Sequence, residues 1–234
     1  MTMRGDSIVS EIPTAGSDRS KGKQKAQGMP VISQDIHPHG FVSLERYMGD
    51  DKLIAQSARM LRGSLLDRTD PNQGLLDTIQ VIEHLLDHSL TEPFRMVSLQ
   101  FHMKVPVFLL ERFTEFGICV ENSAKYNALA AEECWTSVAF TEVEAKQWDE
   151  CFKECFRLYE KLVRGNVSSQ IARAILPQSA YREIRWSIHG EELLAFFHHV
   201  EQEGFDVGEY EQAIRTMSKR VIPVTIREWE ARNL

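Results

Sequence analysis

The sequence contains few cysteines and no long apolar run. Four cysteines, Cys119, Cys134, Cys151 and Cys155, are spread through 234 residues, too few for the disulfide scaffold of a small secreted domain. The apolar runs, such as residues 105–110, are far shorter than the roughly 20 residues that a membrane span requires. No signal sequence opens the chain. We therefore expect a cytoplasmic protein that does not bind membranes, with its cysteines packed as buried thiols.

Basic residues are fewer than acidic ones, 27 against 34. The formal net charge is −7, which argues against a nucleic-acid groove, where clustered Lys and Arg must neutralise phosphates. No G-x-G-x-x-G or Walker sequence is present, so the phosphate loops of the doubly wound nucleotide folds are excluded. A small anionic ligand needs only one basic pocket, and this class of ligand remains compatible with the composition.

The N-terminal stretch lacks any apolar period and is rich in Gly, Ser, Pro and Lys. Such a segment buries too little apolar surface to offset the entropy of ordering. We assign residues 1–35 to a disordered tail and residues 36–234 to a single domain, with regular structure beginning near Phe41.

Apolar periodicity predicts an α+β fold. Residues 74–88 carry Leu and Ile at helical spacing, whereas residues 97–105 and 180–188 alternate between apolar and polar side chains as strands do. Two further helices are expected after the second strand. Long helices between separated strands indicate a central antiparallel or mixed sheet covered by helices.

Helix boundaries are marked by local signals. Pro106 is expected to be the first residue of one helix and Gly117 to end it. Thr141 and Glu144 have the spacing of a capping box at the start of a long helix. Gly165 is expected to end this helix in the C′ position.

Three stretches resemble the flavin-dependent thymidylate synthases. Residues 41–63 resemble the opening strand and helix of that family, residues 92–126 its signature region and residues 171–200 its C-terminal half. The phrase F-H-x-K-x-P-x-F, followed about 20 residues later by S-x-[RK]-Y, is the most specific part. The resemblance implies the thymidylate-synthase-complementing-protein fold, assembled as a homotetramer with active sites at subunit junctions.

The resemblance also implies a reaction. Members of the family use FAD, methylenetetrahydrofolate and NADPH to methylate C5 of deoxyuridylate, without a cysteine nucleophile. We therefore expect C5 methylation or a related one-carbon transfer on a uridine monophosphate, dUMP or UMP.

Part of the implied substrate site is present. Lys125 replaces an Arg of the phosphate loop, and although it keeps the positive charge it cannot form the planar bidentate fork. Arg173 matches a substrate-binding Arg directly, although a carboxylate partner at a subunit interface is an alternative interpretation. The candidate phosphate-binding residues are Arg173, Ser123, Lys125, Tyr126 and Arg112. The candidate catalytic residues are His189, at a strand-to-helix turn, and Glu121.

The flavin side is altered. The family signature Arg-His-Arg is absent, because residues 112–117 continue the helix and the segment is about two residues short. Each charge-assisted hydrogen bond contributes roughly 1.5 to 3 kcal/mol, and Glu115 would repel a pyrophosphate. We therefore expect conventional FAD binding to be weak.

Other cofactor-side positions differ as well. Leu90 and Arg95 replace a His and a Glu of the family, and His189 and Glu191 replace an Asn and an Arg. Val200 replaces a phosphate-binding Arg. The framework is retained while the site changes, which favours altered chemistry over decay of the fold.

Two histidine pairs are also present. His84 and His88 are four residues apart on one helical face, the spacing at which two imidazoles share a metal ion. The cofactor-binding residues stay unknown, although the resemblance implies that His88, Arg95 and Glu191 occupy cofactor-side positions of the family. No third ligand is fixed by the sequence, so we expect no resident metal and keep this pair as the alternative. Of His198 and His199, only one is expected to share the apolar face of its helix.

Three functions remain open at this point. The first is the methylase-type reaction with a uridine monophosphate. The second is a flavin-free homologue that acts on another small anionic substrate, metal-assisted and in specialised metabolism. The third is a non-catalytic subunit that assembles with an intact paralogue.

Overall fold

The computed structural model describes residues 32–36, 38–62, 74–121, 133–137, 139–203 and 208–233, with the backbone alone at 61, 62, 74–76, 202 and 203. Most of the predicted tail lies outside these ranges, and its disorder stays a prediction. The first strand, however, begins at Ile32, so the boundary at residue 36 and the start near Phe41 were wrong. That strand offers only two apolar side chains, Ile32 and Ile36, and too short a period to be recognised.

Five strands form one sheet. They are β1 (Ile32–Ile36), β2 (Gly40–Met48), β3 (Ser98–Pro106), β4 (Ile118–Glu121) and β5 (Tyr181–His189). Their order is β1-β2-β3-β5-β4, and every neighbouring pair is antiparallel. The predicted α+β class and central sheet are confirmed, and β3 and β5 coincide with the two alternating stretches within a residue.

Eight helices accompany the sheet among the described residues. They are α1 (Asp51–Arg62), α2 (Gly74–Asp87), α3 (Val107–Thr114), α4 (Glu142–Arg164), α5 (Ser169–Ala172), α6 (Gly190–Glu203), α7 (Gly208–Ser218) and α8 (Pro223–Asn233), with 3₁₀ segments at Glu92–Met96 and Arg173–Ile175. The prediction of two helices after β5 was wrong, because Pro223 starts a separate helix. In this part of the chain no helix is both long and apolar enough to cross a bilayer.

The core lies on one face of the sheet. The inward side chains of β3 are fully buried, and those of β5 join them in one cluster with side chains from α1, α2, α3, α6, α7 and α8. The outward face of β3 carries Gln100, His102 and Lys104, which are half-buried or exposed. One face of the sheet is therefore covered by helices, and on the other face β3 presents polar side chains.

The caps of α4 were predicted correctly at one end only. Thr141 Oγ1 accepts the backbone N–H of Glu144 at 3.3 Å, and the Glu144 carboxylate accepts the N–H of Thr141 at 2.8 Å, which confirms the capping box. At the other end Gly165 is the C-cap with a φ of −79°, and the positive φ of 61° falls on Asn166. Asn tolerates this conformation, so glycine is not required there.

The bounds of α3 also differ from expectation. Pro106 ends β3 and is the N-cap of α3. The helix therefore begins at Val107, one residue later than predicted. The helix ends at Thr114, before Gly117, which lies in the following turn.

A buried carboxylate joins the beginning of the helical layer to its end. Asp51, the first residue of α1, accepts the backbone N–H groups of Val224 and Thr225 at 2.8 and 2.9 Å and the Thr225 hydroxyl at 2.6 Å. These are N–H groups that the first turn of α8 cannot satisfy internally. Asp51 therefore caps α8 from a different helix.

The cysteines of α4 are not buried as predicted. The buried side of this helix consists of Phe152, Phe156 and Tyr159, whereas Cys151 is exposed and Cys155 is partly exposed. Residues 151 and 155 share one helical face that is rotated away from the phenylalanines. Adjacency to apolar residues in the sequence did not place the thiols on the same side.

Candidate functional site

A tight turn between α3 and β4 occupies the positions of the missing Arg-His-Arg. The Trp186 indole Nε1–H donates to the carbonyl of Phe116 at 2.6 Å, which fixes the turn to β5. Gly117 has a φ of +73°, and a Cβ there would lie 2.5 Å from the carbonyl oxygen of Ser187. Only glycine fits this backbone without strain. The backbone of the turn therefore packs directly against β5.

A polar cluster borders this turn. Arg112 Nη1 donates to His199 Nε2 at 3.2 Å, and this contact requires the His199 tautomer with its lone pair on Nε2. The Glu115 carboxylate lies 4.0 Å from Arg112 and 3.8 Å from His199, and the Phe116 ring packs against the imidazole at a centroid distance of 5.6 Å. Arg112, a predicted phosphate ligand, thus lies in a cluster that contains an acidic side chain.

A second cluster joins two cofactor-side candidates. Arg95 Nε donates to Glu191 Oε2, and Thr91 Oγ1 donates to Glu191 Oε1 at 2.5 Å. The hydrogen bond from Arg95 holds the pKa of Glu191 below its usual range, against the opposing effect of partial burial. The glutamate side chain is 21% exposed and the arginine 65%, so the guanidinium faces solvent while the carboxylate is sheltered.

His189 lies beside this cluster. It is the last residue of β5, its side chain is exposed, and its backbone N–H donates to Glu192 Oε2 at 3.2 Å. The backbone N–H of the next residue, Gly190, donates a hydrogen bond to the carbonyl of Val97. A Cβ at Gly190 would lie 2.6 Å from the Phe94 carbonyl oxygen. The structure therefore brings His189, Arg95 and Glu191 to one edge of the fold, where β5 passes into α6.

The phosphate-side candidates are distributed differently. Arg173 starts the 3₁₀ segment after α5 and is half-buried beside a small core of Phe156, Tyr159 and Ala172. Glu121 is the exposed last residue of β4, opposite Ile184. Ser123, Lys125 and Tyr126 lie outside the described residues, and their roles stay predictions.

The histidine pairs are placed as follows. The rings of His84 and His88 lie 4.2 Å apart on the surface of α2. Within the described ranges, no group of three or more His, Cys, Asp or Glu side chains is arranged to hold a metal ion. On α6, His198 is exposed while His199 packs on Phe116, in accord with the expectation that one of the two shares the apolar face.

The thiols of β4 and the following segment are not activated. Burial, followed by the nearby Glu121 carboxylate, raises the pKa of the Cys119 thiol to about 11. Burial also raises the pKa of Cys134. A nucleophilic cysteine requires a lowered pKa, so these two side chains are protonated thiols.

One polar group on the outward face of the sheet was missed by the sequence reasoning. His102 Nε2 lies 2.6 Å from Glu183, and its Nδ1 lies 3.6 Å from Glu45, whose carboxylate also accepts two hydrogen bonds from Arg185 at 3.0 and 3.2 Å. The hydrogen bond from Arg185 lowers the pKa of Glu45. Alternation along β3 indicated that His102 faces outward, but its partners come from two other strands.

Comparison with known proteins gives one consistent result. The family model described as thymidylate synthase complementing protein matches residues 43–224. A flavin-dependent thymidylate synthase of Borreliella burgdorferi is 25% identical over 227 residues, covering 83% of this chain and 82% of the relative. The corresponding protein of Thermus thermophilus is 26% identical, covering 86% and 78%.

The solved structures show the same fold. The UMP/dUMP methylase PolB from Streptomyces cacaoi, bound with 5-Br UMP, superposes with a TM-score of 0.66 at 17% identity, covering 85% of this chain and 97% of that one. This similarity confirms the fold that the sequence resemblance implies.

Proposed function

Because the chain belongs to the thymidylate synthase complementing protein family, we propose that it transfers a one-carbon unit to C5 of a uridine monophosphate, dUMP or UMP. The family match over residues 43–224 carries this proposal. The names of the relatives, flavin-dependent thymidylate synthase, and of the structural neighbour, UMP/dUMP methylase, support the same reaction class.

In this proposal the nucleotide phosphate is bound by Arg173 together with Ser123, Lys125 and Tyr126. A dianion that leaves water requires charge-assisted hydrogen bonds, which arginine and lysine supply. His189 is the proposed proton-transferring side chain, since it is an exposed imidazole at the end of a strand. Glu121 is the second catalytic candidate, at the end of β4 that leads towards the phosphate loop.

The residues of the α3–β4 turn do not fit the family's flavin clamp. Glu115 is half exposed, and the Arg112 guanidinium and the His199 imidazole already lie within 4.0 Å of its carboxylate. A pyrophosphate at this position would meet an acidic side chain in place of two arginines. FAD, methylenetetrahydrofolate and NADPH belong to the family reaction, and no step of this proposal is assigned to the flavin.

The same turn favours a second candidate function. A homologue that works without flavin on another small anionic substrate has no need of the Arg-His-Arg signature. The closed backbone at Gly117 and the Phe116 side chain packed on His199 fill the positions of that signature with structural contacts. This candidate keeps the anion-binding role of Arg173.

We also propose the homotetramer that the resemblance implies. The outward face of the sheet carries exposed apolar side chains at Met48, Ile118 and Val120, which are 61%, 68% and 61% exposed. Exposed apolar side chains beside polar ones are typical of protein interfaces. Light scattering coupled to gel filtration tests this proposal, and a monomer at micromolar concentration contradicts it.

Calorimetric titration with UMP and dUMP tests the main proposal. We expect binding by the wild-type chain and an affinity reduced tenfold or more in Arg173→Ala, about 1.4 kcal/mol or more. Arg164→Ala is the matched control, because Arg164 is 79% exposed and forms its ion pair with Glu160 on its own helix. Absence of binding at millimolar nucleotide would overturn the proposal.

The absorption spectrum and a product assay separate the two candidates. Formation of 5-methyluridine monophosphate or its deoxy form, from methylenetetrahydrofolate and NADPH, supports the first. Nucleotide binding by colourless protein, with no methylated product even when FAD is added, supports the second.

A further inference from the structure

Two histidines lie on one face at the end of α2, where His84 is half-buried and His88 is exposed. His84 is in the last turn of the helix, and His88 follows its final residue, Asp87. Side chains four positions apart in a helix project to the same side. The two imidazole rings accordingly lie 4.2 Å apart between centroids, tilted by 39°.

A backbone hydrogen bond fixes the orientation of one ring. His88 Nδ1 lies 2.9 Å from the carbonyl oxygen of His84. A carbonyl only accepts, so Nδ1 carries the proton and Nε2 of the neutral ring keeps its lone pair. Metal-binding histidines characteristically donate their second ring nitrogen to a carbonyl or carboxylate in this way, which sets the tautomer and the direction of the ligand atom.

An ion pair lies beside the two histidines. Asp87 lies between them in the sequence, and its carboxylate accepts a hydrogen bond from Arg232 Nε at 2.7 Å. The ion pair therefore adds no net positive charge that would repel a bound cation.

We propose that His84 and His88 together bind a divalent first-row transition ion, Cu²⁺ or Zn²⁺, through one ring nitrogen each. In the described part of the chain no third His, Cys, Asp or Glu completes a ligand set. Water therefore fills the remaining positions, as in sites that leave coordination open. For nitrogen ligands Cu²⁺ binds more tightly than Zn²⁺.

Such an ion bridges the last turn of α2. The chain continues from His88 through Leu90, whose N–H donates to the Leu85 carbonyl at 2.8 Å, into Glu92–Met96, where Arg95 binds Glu191. An ion bound only by the folded state stabilises it by mass action. The site does not depend on the proposed methylase reaction, so it is tested without a substrate.

The test uses the full chain without an affinity tag, treated with EDTA and titrated at pH 7.5 with CuCl₂ or ZnCl₂ in a calorimeter. We expect one equivalent to bind, with Cu²⁺ tighter than Zn²⁺. His84→Ala and His88→Ala each weaken binding tenfold or more, and the double variant abolishes the high-affinity equivalent. His198→Ala is the control, because it removes an exposed histidine from α6.

Two further measurements make the outcome decisive. The electron paramagnetic resonance spectrum of the Cu²⁺ form is expected to show coupling to two imidazole nitrogens, and one in each single variant. The melting temperature is expected to rise with Zn²⁺ in the wild type and in His198→Ala only. Unchanged affinity in the double variant, or no binding below millimolar ion in the wild type, would overturn the proposal.

Discussion

Arg95 and Glu191 form an ion pair across 96 positions of the sequence and thereby tie the 3₁₀ segment Glu92–Met96 to the first turn of α6. The sequence resemblance implies a Glu at position 95 and an Arg at position 191. Compared with what the resemblance implies, the two charges are exchanged between the positions. Two substitutions that the sequence shows separately are in contact in the structure.

Reversal of the pair tests this relationship. Arg95→Glu and Glu191→Arg are each expected to lower the midpoint of urea denaturation, because like charges then face each other. The double variant is expected to recover most of the loss. A double-mutant cycle measures the coupling, and strictly additive single effects would show that the two side chains act independently.

The same glutamate sets a pH dependence. Arg95 lowers the pKa of Glu191 in the folded state, so its contribution to stability is present above the unfolded pKa, near 4.5, and is lost as the pH falls through the folded value. Glu191→Gln removes that contribution. We expect the stability difference between wild type and variant to be largest at neutral pH and to shrink below about pH 4.5.

Denaturation of both proteins between pH 3 and pH 7 measures this difference. Glu154→Gln is the control, since the Glu154 side chain is 74% exposed and its ion pair is with Arg157 on its own helix. An equal response of the two variants to pH would contradict the assignment to Glu191.

The closed turn after α3 is tested by replacing Gly117 with alanine and comparing the variant with an alanine substitution at a second glycine. Gly117→Ala is expected to cost about 1 to 3 kcal/mol in the free energy of unfolding, the usual range for a strained backbone conformation. The added methyl group also meets the Ser187 carbonyl oxygen at 2.5 Å. Gly208→Ala is the control, because no atom of the residues described in the structure lies within 4 Å of a Cβ there. Equal stabilities for the two variants would argue against the closed turn.

Removal of the cap on α8 is the fourth test. Asp51→Ala leaves three donors of Val224 and Thr225 without their acceptor and is expected to cost about 2 kcal/mol or more. Asp51→Asn keeps one oxygen acceptor and is expected to lose less. If Asp51→Ala lowers the free energy of unfolding by no more than a few tenths of a kcal/mol, water replaces the carboxylate.

Sequence periodicity identified the helices and strands that have one buried apolar face and one polar face. Strand β3 alternates along its whole length because one face packs against helices and the other does not. Strands β1 and β4 have five and four residues and lie at the edges of the sheet, so their burial patterns contain no clear period. Edge strands of this length depend on pairing with a neighbour, which the sequence does not show.

The candidate site was predictable residue by residue but not in its pairings. The capping box of Thr141 and Glu144 was identified because both partners lie within one turn. The contact of Arg112 with His199 spans 87 positions, and it depends on how α6 packs beside α3. Spacing in the sequence gives no information about such contacts.

The cap that Asp51 places on α8 has a consequence for biosynthesis. The ribosome makes the chain from its N-terminus, and α1 is complete long before Val224 and Thr225 are added, 173 and 174 positions later. Until then the Asp51 carboxylate lacks the three hydrogen-bond donors of Val224 and Thr225. The native packing of the helical layer is therefore completed only after nearly the whole chain has left the ribosome, and a protein truncated before residue 224 lacks the contacts that finish the fold.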